Sequence, residues 1–164
     1  MNANVTVQVA DLSDIEAVVS LFDAYRVWYG KSSDLDGARN FLTQRMRNHQ
    51  STVFLARQED RPAGFAQLYP LFSSVSMGDV WLLNDLFVAD TDRGQGVGTM
   101  LLQTCAEFAR ETGAVRIELE TELTNLAAQQ FYEHHGWQRD QKFLHYSLSL
   151  GAADDSDVDA SING

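Results

Sequence analysis

The sequence predicts an α/β domain, and three observations predict it. Segments that alternate apolar and polar residues are interleaved with segments whose apolar residues recur every three or four positions, the periods of strands and helices. A glycine-rich turn joins one apolar run directly to an amphipathic stretch. The 164 residues, 45% of them hydrophobic, suffice for one domain with a sizeable core and are too few for two ordinary ones. A single domain is therefore expected over residues 1–150. Beyond it, Gly151 to Gly164 is poor in large apolar residues and carries Asp154, Asp155, Asp157 and Asp159, so a disordered acidic tail is expected.

Val5 to Val9 alternates and reads as an opening strand. Asp11 or Ser13 can cap a helix whose apolar positions are Ile15, Val18, Val19, Phe22 and Tyr25. A loop at Tyr29 to Ser33 separates it from a second helix over Leu35 to Arg47. Thr52 to Arg57 and Gly64 to Tyr69 read as strands around a turn at Glu59 to Pro62, Leu71 to Gly78 as a loop of small residues, and Val80 to Val88 as a third strand. Gly96 to Thr112 is helical, Val115 to Thr121 a buried strand, Asn125 to His134 a helix and Phe143 to Leu150 a last alternating strand.

Gly94, Gly96 and Gly98 stand where a strand turns into a helix. Without a Cβ they admit left-handed angles and a close ligand, and the first-turn amides of the helix lack intrahelical acceptors. Such a turn cradles a phosphate or pyrophosphate. A nucleoside-triphosphatase loop would need G-x-x-x-x-G-K-S/T, and no lysine lies between Lys31 and Lys142. A dinucleotide fingerprint would need G-x-G-x-x-G; here Thr99 takes the third glycine's place, although Glu118 or Glu120 lies at the distance of a ribose ligand, so that reading stays open.

The third pattern, R/Q-x-x-G-x-G/A, fits Arg93, Gly96 and Gly98 and resembles the acyl-coenzyme A loop of the GNAT superfamily of N-acetyltransferases. Asn125 to Tyr132, reading N-L-A-A-Q-Q-F-Y and followed by Gly136 and Trp137, resembles the same family's following helix. The resemblance implies a mixed, mostly antiparallel sheet of six to seven strands, flanked by about four helices, with Trp137 beginning the sixth strand. It implies acetyl-CoA as the acyl donor. Coenzyme contacts are then expected from the amides of Phe87 and Val88, from Arg93, Gly94, Gln95, Gly96, Val97, Gly98 and Thr99, and from the Asn125 side chain. Dimers are frequent in the family, and Phe143 to Leu150 offers a strand that could pair across a two-fold axis in a homodimer.

Attack of an amine on a thioester sets two requirements. An alkyl amine of pKa ~10.4 is neutral in about one molecule in 2,500 at pH 7, a cost of about 4.6 kcal/mol, so a proton acceptor is needed. The departing thiolate leaves more easily beside a proton donor. Tyr132 is the expected general acid, from the resemblance. For the base the sequence offers Asp85 and Glu120; Asn84, an amide where polyamine and diamine acetyltransferases have a carboxylate, cannot take a proton. Alternation along the strand puts Asp85 with Phe87 and Asn84 with Leu86 on opposite faces. Tyr25, Tyr29, Trp81 and Asn84, with Trp28, Tyr69 and Phe72 nearby, are the expected substrate contacts, aromatic rings being suited to a cation.

A net charge of −11 argues against nucleic acid and anionic membrane as partners and suits a cationic small-molecule amine. No apolar run reaches the length of a membrane span and no signal core opens the chain, so a cytoplasmic protein is expected. Cys105, the single cysteine, falls at helical spacing among Leu101, Leu102 and Phe108 and is expected to be buried. His134 and His135 compensate a helix C-terminus, and no metal site is expected. The acceptor class stays open between polyamine or diamine, amino acid, aminoglycoside and protein or peptide amine. A non-catalytic, regulatory acyl-CoA-binding module is the alternative of a different kind.

Overall fold

The computed structural model describes residues 4–151; residues 1–3, and the expected acidic tail from position 152 onward, lie outside the described residues. The chain divides into two compact units, residues 1–119 and 120–164.

In the first unit, β1 (Val5–Val9), β2 (Thr52–Gln58), β3 (Arg61–Ser73), β4 (Gly78–Val88) and β5 (Arg116–Leu119) form one sheet in the order of the chain. Every neighbouring pair is antiparallel except β4 and β5, which run parallel. This is the mixed, mostly antiparallel sheet the sequence implies. Between β1 and β2 lie α1 (Ile15–Trp28) and α2 (Leu35–Arg47), and between β4 and β5 lies α3 (Val97–Glu111).

Local chemistry sets the boundaries. Asp11 accepts from the Ser13 amide and Asp14 reaches back to the Asp11 amide, so the expected cap opens a short 3-10 turn that leads into α1. Asp34 caps α2 through the Gly37 amide, and the buried carboxylate of Asp23 holds the preceding loop by the Ser33 hydroxyl and the Asp34 amide. The turn between β2 and β3 narrows to Glu59 and Asp60, both at positive φ, as a two-residue hairpin requires. Leu71 to Ser73, expected in a loop, continue β3 because Val80, Asp79 and Gly78 of β4 stand opposite them. Exposed Leu71 and Phe72 give no burial signal from which this extension could be read.

The sheet has two covered faces. On one, Val18, Val19 and Phe22 of α1 and Leu42 of α2 pack with Val53, Leu55, Phe65 and Phe87. On the other, Phe108 of α3 meets Phe54 and Trp81, and Leu101 and Val97 close over Gly64. Cys105 is fully buried as expected, and burial pushes its thiol up to about 12.

The second unit contains α4 (Leu126–His134), opened by Asn125, whose side chain accepts from the Ala128 amide. Five strands occur among the described residues where six to seven were expected, and the difference lies after α4. Trp137 begins no strand; its amide closes the helix end on the Tyr132 carbonyl. In the expected last strand, Phe143, Leu144, Tyr146, Leu148 and Leu150 are 80–85% exposed, and the amides of Lys142 and Phe143 turn to the Asp140 carboxylate. Alternation records a preference for facing two ways, but a strand also needs a neighbour's hydrogen bonds. β5 is likewise shorter than expected and half-buried, its pairing with β4 ending at Leu83 and Leu119.

Candidate active site

The register between β3 and β4 changes at one residue. Gln67 stands opposite Asp85 and Leu68 opposite Leu83, so Asn84 is the extra residue of a bulge. Two consequences follow for the first unit. The parallel pairing with β5 stops just before the bulge, leaving residues 84–88 of β4 without a neighbour on that side among the described residues. The alternation of β4 also changes phase, so Asp85 and Phe87 face α1 whereas Trp81 faces α3.

Trp81 stands apart from the other expected substrate contacts, on the α3 face. Its indole N–H donates to the Thr112 hydroxyl at 2.9 Å and its ring packs on Phe108, on the opposite face from Tyr25 and Asp85. An unbroken period of two would have put Trp81 and Asp85 together, and the bulge undoes that inference.

Asp85 is 4% exposed. Its carboxylate accepts from Gln67 Nε2 at 2.7 Å, from Asn84 Nδ2 at 3.1 Å and from the Tyr25 hydroxyl. Burial raises its pKa above the ordinary carboxylate value, against the opposing effect of these donors. Among the described residues no cation pairs with it. Tyr25 sits edge-on to Tyr29, Phe65 and Phe87, with Trp28 edge-on to Tyr29, so Tyr25 and Tyr29 share one aromatic cluster. Burial and the charge of Asp85 push the Tyr25 hydroxyl well above the usual phenol value. Asn84 itself is exposed.

The glycine turn forms at the start of α3. Gly94 and Gly96 take φ of 72° and 87°, and a Cβ at either would meet nothing within 4 Å, so the turn has open space in front of it. Gly96 is the N-cap and supplies no side-chain cap, which leaves the first-turn amides of Val97, Gly98 and Thr99 outside any capping bond. Gly98 lies inside the helix, without the positive φ of the other two. The Gln95 side chain turns away from the cradle, bonded to Gln58 and to the Thr91 carbonyl. Arg93 folds back as well, donating to the Val88 carbonyl at 3.2 Å and pairing with Asp90 at 2.8 Å.

One expected main-chain contact is corrected. A Cβ on Gly64 would meet the Phe87 carbonyl oxygen at 2.6 Å, so that carbonyl faces β3, and the Ala89 amide likewise bonds to Ala63 of β3. In an extended strand the N–H and C=O of one residue share an edge and alternate residues use opposite edges. The Phe87 amide thus turns to β3, while Val88 presents its amide to the open edge.

Sequence reasoning missed the braces beneath the cradle. Asp92, fully buried, is clamped by both Nη atoms of Arg61 at 2.9 and 2.7 Å and by the Thr91 hydroxyl at 2.7 Å. Arg61 holds the Asp92 carboxyl below its ordinary pKa. Only Gln67, a polar residue inside the apolar run from Gly64 to Tyr69, left a local signal.

In the second unit, Tyr132 lies between the rings of Phe131 and Trp137. The Asn125 side-chain oxygen is used in capping α4. Glu120 is exposed and stands 3.3 Å from His145. His135 Nδ1 meets the Phe131 carbonyl at 2.7 Å, at the C-terminal end of α4.

A family model described as the acetyltransferase (GNAT) family matches residues 16–137. An uncharacterized N-acetyltransferase of Bacillus subtilis (strain 168), YhfO, is 43% identical over 143 residues, 87% of this chain and 96% of that protein. The crystal structure of a probable acetyltransferase superposes with a TM-score of 0.85 at 41% identity, over 88% of this chain and 97% of that one. An aminoglycoside acetyltransferase from an uncultured soil metagenomic sample, crystallised with trehalose, shares the fold with a TM-score of 0.78 at 18% identity, over 89% and 96% of the two chains. The chain belongs to the GNAT family and is an N-acetyltransferase of that type.

Proposed function

We propose that this protein transfers an acetyl group from acetyl-CoA directly to the amine of a small molecule. The observation that carries the reading is Asp85, a buried carboxylate held by three neutral donors and paired with no cation among the described residues, on the strand that borders the open edge. The cradle fits the coenzyme: left-handed glycines face open space and the first-turn amides lack a side-chain cap, as a pyrophosphate needs. Bound there, acetyl-CoA supplies an activated thioester. Gly94, Gly96, Val97, Gly98 and Thr99 would hold its pyrophosphate by their backbone, with Arg93 and Gln95 shaping the turn. Val88 would hold the pantetheine arm by its main chain, as a peptide adds to a strand edge. The family resemblance assigns the Asn125 side chain to the pantetheine arm as well.

Asp85 takes a proton from the acceptor ammonium, directly or through water. Its raised pKa makes it a better base than an ordinary carboxylate, and Tyr25, Gln67 and Asn84 fix its orientation. Tyr25 and Tyr29 bound the acceptor with aromatic faces. Tyr132 holds the proton destined for the departing sulfur. Glu120, exposed beside His145, is the second choice as base.

Release of free thiol from acetyl-CoA, measured against polyamines, amino acids, aminoglycosides and lysine peptides, tests this reading. Turnover on one class, abolished in Asp85→Asn and strongly lowered in Tyr132→Phe with folding intact, is expected. Tight coenzyme binding without turnover on any amine would overturn it in favour of a regulatory acyl-CoA-binding module.

A further inference from the structure

On the face of the sheet that Gln67 and Asp85 share lies an open depression of about 540 Å3 lined by Phe41, Arg45, His49, Gln50, Tyr69 and Pro70. Tyr69 relates it to the Asp85 cluster. Tyr69 follows Gln67 by two positions on β3, so their side chains stand on one face about 6.6 Å apart at ~3.3 Å per residue. The Arg45 guanidinium stacks over the Phe41 ring at 5.0 Å, and its Nε is buried with no hydrogen-bond partner among the described residues. Its guanidinium otherwise donates to the Gln44 side-chain oxygen at a long 3.4 Å. Arg47, in the same last turn of α2, is exposed and suffices to compensate the helix dipole. Tyr69 feels the negative charge of Asp85 and the positive charge of Arg45, which act on its hydroxyl in opposite directions. A carboxylate that no cation satisfies and a guanidinium that no anion satisfies thus flank one tyrosine.

We propose that the acceptor is an amine that also carries a carboxylate, an amino-acid-like zwitterion whose amine is taken by Asp85 and whose carboxylate is taken by Arg45. The inference rests on the acetyl-transfer reading above and narrows it. The overall charge of −11 draws cations towards the protein from a distance, but within the pocket Arg45 repels a second cationic group. Diamines, polyamines and aminoglycosides carry such a group, and an amino acid carries its opposite. A guanidinium grips a carboxylate in two parallel bonds, and loss of hydrogen bonds to a charged group costs roughly tenfold or more in affinity.

The test compares acceptors that differ only by the carboxylate: lysine with cadaverine, phenylalanine with phenethylamine, and γ-aminobutyrate with butylamine. At least one carboxylated member is expected to exceed its partner tenfold or more in kcat/KM. Arg45→Met, which keeps the apolar stem on Phe41, is expected to collapse that ratio towards one, and Arg45→Lys to restore part of it. A preference for the decarboxylated members, or a ratio unchanged in Arg45→Met, would overturn the proposal. If nothing turns over while the coenzyme binds, the acetyl-transfer reading fails, and equilibrium binding of the same pairs still decides this inference. Tighter binding of the carboxylated member, lost in Arg45→Met, supports it; equal binding or none overturns it.

Discussion

Two glycines with the same nominal obstruction offer a sharp test of how the cradle is supported. A Cβ on Gly64 would come 2.6 Å from the Phe87 carbonyl oxygen, with Leu101 Cδ1 at 3.2 Å and Val97 Cγ1 at 3.3 Å behind it. A Cβ on Gly78 would come 2.6 Å from Val115 Cγ1. Ordinary contact begins at 3.4 Å, so each substitution to alanine demands a shift of about 0.8 Å. At Gly78 the obstructing atom is a methyl of a residue 50% exposed at the sheet margin, and it can move. At Gly64 it is main chain of β4, and the remaining space is closed by the first turn of α3. Gly64→Ala must therefore part β3, β4 and α3 where they converge on the cradle. Overpacking of this kind costs about 1–3 kcal/mol. For a chain of this size about 2 kcal/mol corresponds to roughly 4–8 °C in Tm. Gly78→Ala is expected to stay within about 0.5 kcal/mol, like other surface substitutions. Thermal unfolding of both variants, with coenzyme affinity by calorimetry, checks the difference; affinity should fall only in Gly64→Ala. Equal melting temperatures for the two variants would refute this account of the junction.

Activity should rise with pH as Asp85 ionises, a limb seen in the wild-type pH–rate profile, and Asp85→Glu, which keeps a carboxylate, should displace that limb. Because burial raises the folded-state pKa of Asp85, its protonated form is favoured on folding, so its contribution to stability declines as pH rises from ~3.8 through the folded value. Asp92 has the opposite sign. Its pKa is lowered by Arg61, so the stability it contributes is present above ~3.8 and lost as pH falls through its folded value; acid titration of unfolding should be flatter in Asp92→Asn than in wild type. Cys105, buried and with its thiol pushed up to about 12, should resist an alkylating reagent in the native protein and react in denaturant. Rapid native labelling would contradict that burial, and slow labelling leaves the thiol-release assay without background.

What the sequence made legible depended on how local each cause is. Gly94 and Gly96 could be read because a strand-to-helix turn demands positive φ, and both glycines take it. The cap at Asp11 could be read because it bonds to an amide two residues away. The Arg61–Asp92 clamp spans 31 residues and no spacing rule announces it. The face of Trp81 differs from the one alternation implies for a subtler reason. Period two fixes the face of every residue in a strand only while the register holds, and one extra residue at Asn84 exchanges the faces of everything before it. That bulge also ends the pairing with β5 and so creates the open edge.

Asp92 and Asp85, two of the three buried aspartates of the first unit, contrast a structural carboxylate with the reactive one proposed above. Both lie out of contact with bulk water, where an isolated charge is costly unless paired and hydrogen-bonded. Asp92 receives a guanidinium through two bonds and a hydroxyl through a third, so its charge is neutralised within the protein and its pKa falls. Asp85 receives equally many donors, all neutral, and its pKa rises. Hydrogen bonds alone do not offset the desolvation there; a cation would. If the folded chain contained that cation, an acceptor ammonium would meet a neutralised pair and gain little by displacing it. With Asp85 oriented but unneutralised, an entering ammonium supplies the missing charge itself, and a proton moved from that ammonium to the carboxylate leaves both groups neutral in a site that favours neutral forms. The same burial that makes Asp85 a liability for stability drives the amine towards its reactive state.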